Sequence, residues 1–100
     1  MKPDAIKTAF EALAEKMGYT VRYEKGDFRG GACRVDRDKQ IIINAAAPLN
    51  HQNYAFARVF AEMDPKLIES HYLLPEVRKM LDDIRAENER REAMDNHALD

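Results

Sequence analysis

The apolar positions along this chain switch between a helical and an alternating period, and each switch predicts an element. Ile6, Phe10, Leu13 and Met17 recur at helical spacing, with Ala9 and Ala14 beside them, so residues 3–17 read as a helix with one core-facing stripe. Pro3 suits the first turn, where its missing N–H costs nothing, and Asp4 complements the positive end of the helix dipole. Gly18 supplies a stop, because glycine adopts the left-handed conformation cheaply. Tyr19, Val21 and Tyr23 then alternate with Thr20, Arg22 and Glu24, the period of a strand with one buried face.

After a break at Lys25-Gly26-Asp27, residues 32–35 predict a second strand with Cys33 and Val35 inward. Asp36-Arg37-Asp38-Lys39 reads as a polar turn, and Gln40-Ile41-Ile42-Ile43-Asn44 as a third strand. Its three isoleucines have no polar alternate, which suits apolar cover on both faces or a central position. A second helix follows over residues 49–63, with Asn50 as its N-cap and Tyr54, Ala57, Phe60 and Ala61 on one face. Asp64-Pro65 ends it, since a residue before proline avoids helical geometry. Residues 66–74 fit a turn of helix and an extended segment equally well. Pro75 opens a third helix whose apolar face, Val77, Met80, Leu81 and Ile84, stops where Asn88 and Arg91 take the next core positions.

These elements predict an α+β fold: an N-terminal helix, a three-stranded antiparallel meander and two C-terminal helices. Residues 1–84 form a single compact domain, and residues 85–100 form a charged tail that is partly helical or frayed. Glu87 and Arg91 make an acid-to-base pair at helical spacing within that tail.

Charge narrows the partners. Sixteen basic and eighteen acidic residues leave a net charge of -2, so no strong field of one sign attracts nucleic acid or an anionic membrane. Arg22, Lys25, Arg29, Arg34, Arg37 and Lys39 are interleaved with Glu24, Asp27, Asp36 and Asp38, which cancels most of the local field. The longest apolar runs fall far short of the roughly 20 residues a membrane span needs. A single cysteine, Cys33, fits a reducing compartment, and the expected location is cytoplasmic.

Candidate chemistry is sparse. His51, His71 and His97 are widely spaced, without the close ligand pairs that announce zinc. Cys33 lacks a neighbouring cation on its own strand face, because alternation sends Arg34 to the opposite one. Gly26, Gly30 and Gly31 precede a strand and lack the spacing of a phosphate loop.

The stretch Gly31…Gln40-Ile41-Ile42-Ile43-Asn44…Pro48…Phe56-Ala57-Arg58-Val59-Phe60-Ala61-Glu62 resembles part of an ImmA/IrrE-type zincin core. In that family a hairpin ending in an Ile/Val-rich strand and Asn leads into a helix bearing His-Glu-x-x-His. The resemblance covers about a third of the chain and departs from the family at the metal motif, where Arg58-Val59-Phe60-Ala61-Glu62 stands. Arginine cannot ligate zinc and Val59 removes the general base, so the resemblance implies a metal-free shell. Arg58 and Glu62, four apart, are expected to pair with each other. The chain is also similar to short uncharacterised bacterial proteins of helix–meander–helix layout, a likeness that implies no activity.

The resulting expectation is a small non-catalytic cytosolic interaction or regulatory module with no cofactor. It has no catalytic or metal-binding residue, and Tyr19, Tyr23, Phe28 and Arg29 form its binding surface. The alternative is a small enzyme or ligand-binding protein with a site assembled around Cys33, His51 or Glu62. The expected partner is another protein, the chain itself being a monomer or a homodimer through an open edge strand.

Overall fold

The computed structural model describes residues 2–26, 33–35 and 38–98, with backbone alone for 33–35 and 95–98. Helix α1 spans Pro3–Lys16 and carries Phe10, Leu13 and Ala14 into the core. Gly18, at φ +84°, ends it: the Gly18 N–H donates to Glu15 O at 3.0 Å and the Tyr19 N–H to Ala14 O at 2.9 Å. This paired closure satisfies carbonyls that the helix end would otherwise leave open, and it needs the positive φ that glycine tolerates.

Three strands follow: β1 (Thr20–Glu24), β2 (Cys33–Val35) and β3 (Gln40–Asn44). The predicted antiparallel meander does not form. The sheet order is β1-β3-β2, with β1 parallel to β3 and β2 antiparallel to it. Thr20 lies opposite Gln40 and Glu24 opposite Asn44 in the parallel pair, while Cys33 lies opposite Ile43 and Val35 opposite Ile41 in the antiparallel one. The reason is the isoleucine run. Ile41, Ile42 and Ile43 are all buried, which only the central strand of a small sheet allows. β3 therefore inserts between the two strands that precede it, although strands consecutive in sequence pair more often. The stretch from β1 to β3, which contains β2, is long enough for the crossover that a parallel pair requires.

Helix α2 spans Leu49–Ala61, and its N-cap is Pro48, not Asn50. The turn before it is held from both sides. Asn44 Oδ1 accepts from the Ala46 N–H at 2.9 Å, and Gln52 Nε2 donates to Ala47 O at 3.0 Å and to Asn44 O at 3.3 Å. Asn53 Nδ2 donates to Pro3 O at 3.0 Å and ties α2 to the start of α1. Both amides are buried, and the oxygens Gln52 Oε1 and Asn53 Oδ1 have no hydrogen-bond partner among the described residues. The core face of α2 is set by Ala55, Phe56, Ala57, Phe60 and Ala61; Tyr54, expected with them, is exposed.

The chain has four helices among the described residues, one more than predicted. Asp64-Pro65 does not merely end α2. Asp64 Oδ1 accepts from the Lys66 N–H at 2.9 Å and caps a short helix α3, Pro65–Glu69, that buries Ile68. Residues 70–74 are not helical, and α4 runs Pro75–Ala98. Val77, Leu81 and Ile84 are its buried positions, and every described side chain beyond Ile84 is partly or fully exposed.

The helices share one core with the sheet. Phe10 stacks on Phe56 at 5.6 Å between centroids and on Phe60 at 6.0 Å, joining α1 to α2. Each such pair adds about 0.5–1.5 kcal/mol beyond the area it buries. Ile41 and Ile43 belong to this cluster with Val21 and Tyr23 packed against it. Ile42, on the opposite sheet face by strand alternation, is buried outside the cluster. Among the described residues no helix is long and apolar enough to cross a membrane.

Candidate functional site

Two of the four sequence-derived binding residues fall within the described residues. Tyr19 and Tyr23 are half-buried and pack against the core; Phe28 and Arg29 lie outside the described residues. Tyr23 is further constrained from α1. Its hydroxyl donates to Glu11 Oε2 at 2.6 Å, and Lys7 Nζ sits 4.3 Å above its ring. Lys7 and Glu11 are four apart on α1, so both reach the same ring. Burial, then the Glu11 hydrogen bond, then the Glu11 charge push Tyr23 ionisation well above the usual tyrosine value. The phenol is thus held protonated as a clamp between α1 and β1, and it is a poor acid.

Within the alternative site, His51 and Glu62 lie far apart. His51 lies exposed in the first turn of α2 and Glu62 exposed at its C-cap, so the full helix, about 16 Å, separates them. The side chain of Cys33 lies outside the described residues. Arg58 is exposed near the end of α2, and no ion pair joins it to Glu62 among the described residues. Glu62 is the C-cap, in a last turn tightened by its N–H donating to Val59 O at 3.3 Å. The Glu87–Arg91 pair does form, at 3.5 Å. Among the described residues no group of three or more His, Cys, Asp and Glu side chains is placed to hold a metal ion.

A feature that sequence reasoning missed is a groove between α1 and the segment leading into α4. Its volume is about 150 Å³. Ala9, Ala12 and Leu13 form one wall; Leu73, Leu74 and Val77 form the other. Small alanines on successive turns of α1 leave the space between Leu13, Lys16 and residues 72–74. Tyr72 lines the groove while 77% exposed, and Lys16 is the one charged lining residue among the described residues. Leu67, in α3, is 59% exposed. Large apolar side chains this open are worth noting on a protein surface, where polar residues dominate. The signal was present in the sequence as Leu67, Tyr72, Leu73 and Leu74, more apolar residues than that short segment buries.

Comparison of the chain with protein-family models, with curated proteins and with solved structures finds no significant match.

Proposed function

We propose that this chain is a small non-catalytic interaction module that seats an apolar, acid-flanked segment of another protein in the groove between α1 and residues 72–74. The observation that carries this reading is Tyr72, an aromatic side chain 77% exposed on the wall of an apolar groove. Exposed aromatics at the edge of an apolar pocket are the usual anchors of protein contacts, because they bury large area at little entropic cost. The groove volume suits one aliphatic or aromatic side chain. Lys16, at the α1 end, supplies the charge that an acidic neighbour of that side chain would meet. The site of action is the cytoplasm, which the lone cysteine suits.

Selection from a random peptide library displayed on phage tests the proposal. Binders should be enriched in an apolar residue next to Asp or Glu, and should lose affinity on Tyr72→Ala and on Lys16→Glu. Both positions are exposed, so neither change threatens the fold. Binders indifferent to both substitutions would overturn the assignment of the groove.

A further inference from the structure

Among the described residues, the outer side of β1 is an open sheet edge with a defined polarity. The Thr20 N–H donates to Lys39 O at 2.9 Å, and the Ala45 N–H donates to Glu24 O at 2.9 Å. With Thr20 opposite Gln40 and Glu24 opposite Asn44, these bonds fix the alternation of the parallel pair. Thr20, Arg22 and Glu24 turn their main-chain groups toward β3. Val21 and Tyr23 therefore turn theirs away from the sheet. Such an edge is a template for another strand.

The side-chain charges select among the strands that could add there. Arg22 and Glu24 lie two apart, on one face of β1, and pair at 2.6 Å. An antiparallel copy of β1 has three registers that bring outward main-chain groups together. Centring on Arg22 sets it against Arg22 of the partner subunit, like against like. Centring on Val21 sets Arg22 against Thr20 of the partner subunit and makes no ionic pair. Centring on Tyr23 sets Arg22 against Glu24 of the partner subunit, and Glu24 against Arg22 of the partner subunit. Opposite charges directly across an antiparallel pair stabilise it, and like charges there oppose it. The edge is therefore complementary to itself in one register.

We propose that β1 pairs antiparallel with β1 of a second copy about a two-fold axis at Tyr23, joining the two sheets into one. The main-chain groups of Val21 and Tyr23 are then paired, and two cross-strand Arg22–Glu24 contacts flank the axis. A two-fold contact of this kind closes on itself, so it gives a dimer and not a fibre. Glu11 and Lys7 hold the Tyr23 ring in place within each copy, so the central residue of the contact is ordered before association. The proposal uses a different surface from the groove and stands or falls separately from it.

Sedimentation velocity on the full chain over a dilution series tests it, with circular dichroism to confirm folding of each variant. The unaltered chain should associate reversibly to a dimer. Arg22→Glu and Glu24→Arg should each weaken the dimer roughly tenfold or more, since each turns two attractive cross-strand pairs repulsive. The double exchange, Arg22→Glu with Glu24→Arg, should restore it. A chain that stays monomeric at its highest attainable concentration would overturn the proposal. So would a dimer that ignores both single changes, or a folded double exchange that stays monomeric.

Discussion

Replacing Ile43 with alanine probes the reason the sheet has its order. Ile43 is fully buried in the central strand, on the face that meets Phe10, Phe56 and Phe60. The change removes roughly three methylene-sized groups, a transfer loss of about 2.4 kcal/mol at about 0.8 kcal/mol each. A residual cavity of about 50 Å³ would add about 1.2 kcal/mol. The expected cost is therefore about 3–4 kcal/mol. Ile42 provides an internal control. It is equally apolar and nearly as buried, but it lies on the other sheet face, outside the main cluster and in register with Arg22. Surroundings with a flexible arginine close more easily over a lost side chain, so Ile42→Ala should cost about 1–2.5 kcal/mol. Urea unfolding measures both. At an m-value of about 1.2 kcal/mol/M, Ile43→Ala should lower the midpoint by about 3 M with m unchanged. A loss below about 0.5 kcal/mol at both positions, the range of an exposed surface change, would refute β3 as the central buried strand. A larger loss at Ile42 than at Ile43 would refute the placement of the helices on the Ile43 face.

Other outcomes follow from the same contacts. Deleting residues 92–100 should leave the unfolding midpoint nearly unchanged, because no described side chain beyond Ile84 is buried; slow amide exchange throughout that stretch would contradict this. Tyr23→Phe should cost about 1–2 kcal/mol at neutral pH by removing the hydroxyl donated to Glu11. Because folding raises the Tyr23 pKa, the contribution of the neutral phenol is intact below about pH 10, the unfolded tyrosine value. It is lost as pH rises from there toward the higher folded value, so stability measured above pH 10 should fall less steeply in Tyr23→Phe. Protein purified without chelator should carry zinc well below one atom per chain by elemental analysis, since Arg58 and Val59 stand where the resembling motif has a ligand and a base.

Much of the fold was legible because local chemistry and burial agree. Gly18 and Pro75 mark helix boundaries that tertiary packing respects, and the apolar stripe of α4 ends with burial at Ile84 although the helix itself continues to Ala98. The strand positions followed from alternation and from the isoleucine run. Strand order was not legible, because it depends on which strand most needs two neighbours, a comparison between elements and not a property of any one. Ile41-Ile42-Ile43 carried that information, and adjacency in sequence argued the other way. Asn50 looked like a cap, but the turn before α2 is closed by Asn44 and Gln52, side chains on either side of it. Tyr54 lay near the apolar stripe of α2 yet falls on its open flank, since Gln52 and Asn53 take buried positions that a polar residue rarely holds. The groove was invisible for a simpler reason: its walls come from α1 and from residues 72–77, and only folding brings Ala9, Ala12 and Lys16 to Tyr72.

An NMR titration of the full chain with phenylbutyrate tests binding at that groove most directly. The probe joins an aromatic ring to a carboxylate, the pairing that Tyr72, the alanine wall and Lys16 should accept. Chemical-shift changes should concentrate at Ala9, Ala12, Leu73 and Val77, saturate with probe concentration and weaken in Lys16→Glu. Saturable changes centred instead on His51 or Cys33, or none at the groove up to the solubility of the probe, would contradict the reading of this surface as the binding site.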